Sequence, residues 1–162
     1  NKSMLSLLAT FPPWLGTLLI AAMPILEIRG ALPIALEVFQ MPFWQAFALG
    51  VAGNMFSAII LVFALRFLAD AVSHRSSIAA RFFHWWFAHT KAKFQKSYDL
   101  YGALALFLFV AIPLPATGVW TASVATVLFG IRPKAALPAM FLGVCASGLI
   151  VGLVIGAVHW AV

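Results

Sequence analysis

Charge is what this sequence has least of. Aspartate, glutamate, lysine and arginine make up 9% of its 162 residues, and only four of those side chains are acidic. A soluble domain carries about 25% charged residues, so a water-facing surface cannot be covered here. Cysteine is nearly absent as well. Cys145 stands alone, which excludes an internal disulfide, and between Val144 and Ala146 it reads as a small apolar packing residue. A basic start followed by an A-x-A cleavage site is missing too. The chain opens at Asn1 with Met4 close behind, and the expectation is that the natural start has been trimmed or replaced. The machinery of named chemistry is also lacking. No Ser-His-Asp set converges, and His84 and His89, five residues apart, do not share a helical face or gain a cysteine or carboxylate partner. The expectation is therefore no enzyme, no catalytic residue, no metal and no cofactor.

What remains is apolar. Hydrophobic residues make up 64% of the chain and the mean hydropathy is +1.06, which implies a polytopic membrane protein forming one domain over residues 1–162. The formal net charge of +6 would elsewhere suggest nucleic acid. In a membrane protein the same lysines and arginines report orientation, and no nucleic-acid partner is expected.

A helix needs about 20 apolar residues to cross about 30 Å of hydrocarbon. Phe43 to Leu68 and Ala135 to Ala161 pass easily, and each carries small residues that let helices approach in lipid: Gly50, Gly53 and Ser57 in one, Gly143 and Ser147 in the other. The other apolar regions are too short. In MPILEIRGALPIAL, residues 23–36, Glu27-Ile28-Arg29-Gly30 interrupts a stretch that begins at Trp14, and a second half runs from Ala31 to Phe39. In VAIPLPATGVW, residues 110–120, Pro113 and Pro115 end a helix from Tyr101, and a second half runs from Val119 to Ile131. Irregular backbone at membrane depth is tolerated only inside protein or against a water-filled cavity, so both regions read as re-entrant hairpins.

The halves echo one another. Pro24, Pro42, Gly53 and Ser57 are answered by Pro113, Pro133, Gly143 and Ser147, each about 90 residues further on. The fold class expected is all-α integral membrane: an inverted repeat of two re-entrant helical hairpins plus two full transmembrane helices. Repeat one covers 14–68, a cytoplasmic basic amphipathic linker 69–100, and repeat two 101–161. In the linker, IAARFFHWWFAHTKAKFQK (residues 78–96) sets Phe83, Phe87 and Phe94 on one helical face and His84, Lys91 and Gln95 on another, an interfacial helix whose lysines meet lipid phosphates.

Arg66, Arg75, Arg81, Lys91, Lys93, Lys96, Arg132 and Lys134 all fall on one side of this topology and Lys2 alone on the other. The positive-inside rule then places residues 69–100 in the cytoplasm and both termini outside, in a prokaryotic inner membrane. Trp14, Trp44 and Trp160 would lie at the outer interface and Trp85 and Trp86 at the inner one. Trp120 either packs between hairpins or lines the site.

Ionised groups at the bilayer centre cost at least about 2.5 to 3.5 kcal/mol each. Glu27 and Arg29 must therefore pair or face water. One reading is a structural ion pair locking the hairpin. The other divides the work: Arg29 binds an anionic head group through its fork, and Glu27, favouring its protonated form out of water, carries a proton. Half-helices starting at Ala31, with Pro33 in the first turn, and near Val119, capped by Thr117, would aim their N-termini at the midplane. Gly30, Thr117 and Gly118 join Arg29 as expected substrate-binding residues, at tips marked by Pro24, Pro33, Pro113 and Pro115. Trp120, Thr121 and Ser123 would add binding groups, and Asn54 either hydrogen-bonds a tip or clasps two helices.

PILEIRGALPIAL, Gly53-Asn54 and VAIPLPATGVW together resemble the small multi-drug export proteins over about residues 20–160, and more distantly the DedA and SNARE-associated membrane proteins. The resemblance implies an integral membrane fold with opposed re-entrant hairpins and a transport role. DedA relatives are linked to proton-dependent flipping of phospholipids and of the undecaprenyl phosphate carrier. The acidic–proline–glycine and arginine-rich signatures of DedA proper are absent here. The leading expectation is thus a proton-coupled flippase for an amphipathic substrate with an anionic phosphate head. The alternatives are a multidrug efflux transporter and a membrane scaffold without transport. The partners expected are membrane lipids, protons, an anionic lipid or amphipathic small-molecule substrate, and a second copy in a homodimer.

Overall fold

The structure is a computed structural model that describes residues 12–75, 100–114 and 117–161. Among these residues every regular element is helical. Helix α1 spans Pro13–Ala22, with proline at its first position, where a missing N–H costs nothing. It ends where Met23 turns extended (φ −73°, ψ 144°), because the ring of Pro24 disfavours helical backbone in the residue before it. Then follow α2 (Glu27–Glu37), α3 (Phe43–Arg75), α4 (Leu100–Ala111), α5 (Val119–Leu128) and α6 (Pro133–Ala161).

Length separates these helices into two kinds. At 1.5 Å per residue, α1, α2 and α5 reach only about 15 Å, half the hydrocarbon thickness. With 33 and 29 residues, α3 and α6 exceed it, and both are long and apolar enough to cross a membrane. Their outward faces suit hydrocarbon: Phe56, Ile60, Phe63 and Phe67 of α3 and Leu142, Leu149, Leu153 and Val154 of α6 are exposed.

Several boundaries differ from the sequence expectation. The first apolar half stops at Ala22 rather than Leu26, since Pro24 acts before the charges do. The next helix starts at Glu27, not Ala31, so Glu27 to Gly30 form its first turn instead of interrupting helix. Pro33 consequently sits inside α2 rather than in its first turn. The first span runs on to Arg75, taking residues 69–75 from the expected linker, and the second begins at Pro133. Residues 76–99, with the interfacial helix, Trp85 and Trp86, lie outside the described residues, as does the Trp160 side chain. Trp14 and Trp44 are exposed.

The end of α5 shows how the chain turns. Gly130 takes φ 63°, which glycine alone adopts without strain. Its N–H donates to Val127 O (3.1 Å) and that of Ile131 to Thr126 O (2.9 Å), the paired bonds of a Schellman motif. Pro133 then opens α6.

Helix α3 is the central element: α1, α2, α5 and α6 all pack on it. Gly53 brings α3 against Leu18 O and Ala21 of α1, and Gly143 brings α6 against Phe107 O and Val110 of α4. A methyl group at either position would collide with backbone. Leu106 and Val110 of α4, Val119 and Ala122 of α5, and Met140 and Val144 of α6 share one core cluster with Ile28 of α2.

Candidate functional site

The two breaks, residues 23–26 and residues 112–114 with 117–118, come together. They border an open cavity of about 280 Å³, lined on one side by Pro24, Ile25, Glu27 and Arg29 and on the other by Pro113, Leu114, Thr117, Gly118 and Thr121.

Arg29 stands in the first turn of α2 and reaches across the cavity. Its guanidinium donates to the carbonyls of Leu114 and Thr117, and a third donation reaches Val110 O in the last turn of α4 at 3.4 Å. A cation at the C-terminal end of a helix, on carbonyls with no intrahelical partner, is favoured by the helix dipole. The fork does not satisfy the whole group, because Nε is buried without a partner among the described residues.

Glu27 takes the opposite pole. Its side chain is only 5% exposed and accepts from Trp120 N at 3.5 Å, with the Val119 N–H also directed at it. It thus rests on the N-terminus of α5, where N–H groups have no helical acceptor and negative charge is favoured. The contact is close: a Cβ on Gly118, the N-cap residue, would overlap both carboxylate oxygens. Glu27 also adopts φ 48°, a left-handed conformation uncommon for a side-chain-bearing residue. Glu27 and Arg29 hydrogen-bond to α4, α5 and the break between them rather than to each other.

The first break is held from outside. With its amide oriented to satisfy both ends, Asn54 of α3 donates to Ala21 O (2.6 Å) and accepts from Ile28 N (3.0 Å). One turn on, Ser57 Oγ donates to Ala22 O at 2.8 Å. The Trp120 indole N–H, coming from α5, donates to the same carbonyl at 3.3 Å. These donors answer the C-terminal carbonyls of α1 that helix geometry leaves unpaired.

Of the residues singled out from sequence, Glu27, Arg29, Thr117, Gly118, Thr121, Pro24 and Pro113 line the cavity. Trp120 bridges between the helix pairs, and Asn54, 1% exposed, both touches the first break and joins α3 to it. Gly30, Pro33 and Ser123 are not among the lining residues. Thr117 does not cap α5: its hydroxyl ties the second break by bonding Ile112 O and Leu114 O, both at 2.8 Å. Ser123 is fully buried and spends its hydroxyl on Val119 O at 2.6 Å, away from the cavity. Gly30 faces the Leu26 side chain. Pro33 sits beyond the break within α2, and Pro115 lies outside the described residues. Ile25 and Leu114 line the cavity without having been singled out, although each adjoins a proline that marks its break.

The family described as "Putative small multi-drug export protein" matches residues 27–150. No curated protein and no solved structure matches the chain.

Proposed function

Because the chain belongs to the small multi-drug export protein family, we propose that it exports small amphipathic molecules through the cavity where its two breaks meet. The observation that carries this reading is the cavity itself. Two interrupted helix pairs converge on one space holding a buried carboxylate and a guanidinium, the pattern of a transporter site at the meeting of broken helices.

In this reading α1–α2 and α4–α5 are re-entrant hairpins of an inverted repeat, entering the bilayer from opposite faces. Equivalent contacts support the repeat: Gly53 meets Leu18 O and Ala21, while about 90 residues later Gly143 meets Phe107 O and Val110. The termini then lie outside the cytoplasm.

An anionic headgroup substrate fits less well. The arginine expected to hold it is engaged by carbonyls, and the α5 N-terminus expected to help is covered by Glu27. Glu27 remains the group suited to a proton cycle, because alternate protonation would loosen and restore its hold on α5. The test is export of fluorescent dyes from proteoliposomes, with and without a proton gradient. Glu27→Gln should fold, by its gel-filtration profile, yet lose gradient-driven export. Unchanged export by that variant would remove Glu27 from the mechanism.

A further inference from the structure

The cluster of carbonyls around Arg29 is a cation seat in its own right. We propose that Val110 O, Leu114 O and Thr117 O, with the Glu27 carboxylate across the cavity, form a binding site for a guanidinium-bearing substrate, and that Arg29 is the resident cation such a substrate displaces. This rests on the export reading and names the substrate class of the same cavity.

Three observations converge. First, the partners of the guanidinium are backbone oxygens from a helix end and a broken loop, the kind of acceptor ring that replaces a cation's hydration shell in membrane proteins. Second, the fit of the tethered group is incomplete: Nε lies buried and unbonded among the described residues. A free guanidinium, without the constraint of the α2 backbone, can rotate to use all of its donors. Third, the seat opens on a cavity of about 280 Å³ whose buried acidic group is Glu27, so a second cation entering it meets a carboxylate rather than bulk apolar wall. Displacement also links binding to motion. When Arg29 leaves, the bond between α2 and the second break is lost, and the substrate takes its place on one side only.

Methylguanidinium chloride is the probe, with tetramethylammonium chloride as a cation lacking N–H donors and sodium chloride matched for ionic strength. Thermal unfolding in nanodiscs would be followed for wild type, Arg29→Ala and Arg29→Gln, the last retaining bulk should the alanine variant not fold. If Arg29 leaves the seat open in about a tenth of wild-type molecules, its removal should lower the half-stabilising probe concentration about tenfold. Tetramethylammonium should leave all three melts where sodium does. Equal probe concentrations for wild type and variants, or no methylguanidinium-specific stabilisation, would overturn the seat. Dye export persisting in that case leaves the export reading standing. Probe binding at the expected ratio without export of any compound supports the seat and overturns export.

Discussion

At the scale of the residue, the sharpest consequence concerns Gly118. A Cβ there would fall on the Glu27 carboxylate, so Gly118→Ala forces one methyl into a filled space at a cost of about 1–3 kcal/mol. The melting temperature in nanodiscs should fall, and Glu27→Ala in the same chain should recover most of the loss. A strictly additive pair would mean the two do not touch. Asn54→Leu removes two hydrogen bonds at the first break. Such bonds average about 0.6 kcal/mol inside membranes, so the expected loss is about 1 kcal/mol, measurable as a shift in the unfolding midpoint in denaturing detergent. Sequence pointed to Glu27 and Arg29 because charge in an apolar run is conspicuous. It could not reveal what Arg29 holds, since every residue carries the same carbonyl and only the fold selects three of them. Thr117 misled for a related reason. A hydroxyl before a helix can bond forward to N–H groups or backward to carbonyls, and the tight break left the carbonyls nearer.

At the scale of the element, the two breaks are held differently. Asn54 and Ser57 clasp the first from α3, whereas α6 carries Val144 and Ser147 at the matching positions and the Ser147 hydroxyl has no partner among the described residues. The second break relies instead on Thr117 and on Arg29 from the opposite pair. Arg29→Ala should therefore speed hydrogen exchange at residues 110–119 while residues 20–28 stay protected; equal loss in both would contradict this division. Helix approach gives a second expectation. Gly53→Val and Gly143→Val should each abolish a monodisperse gel-filtration peak, and Gly156→Val, with nothing among the described residues within 4 Å, should not. Among the described residues, the number of helices and their helical character followed from hydropathy and proline, while boundaries slipped by up to seven residues. Apolar runs record where hydrocarbon is wanted, but Pro24 stops α1 sterically before that run ends, and α3 continues as helix into Arg66 and beyond because a helix emerging from lipid has no reason to unwind.

At the scale of the whole molecule, topology becomes testable. In the inverted arrangement, an alkaline phosphatase fusion at the C-terminus should be active and a fluorescent-protein fusion there dark, with the opposite result for fusions after residue 75. Matching signals at both positions would reject opposed hairpins. The family-level reading was accessible from two short motifs because they build the cavity wall, and the wall is where Glu27 and Gly118 leave least freedom. Glu27, Arg29 and Trp120 each reach from one interrupted helix pair to the other, toward three different backbone targets. Separating the breaks must undo all three within one small volume, and a half-parted state would strand buried polar groups without water or partner. Such a joint should behave like a latch with a click rather than a hinge with friction, leaving few molecules caught midway.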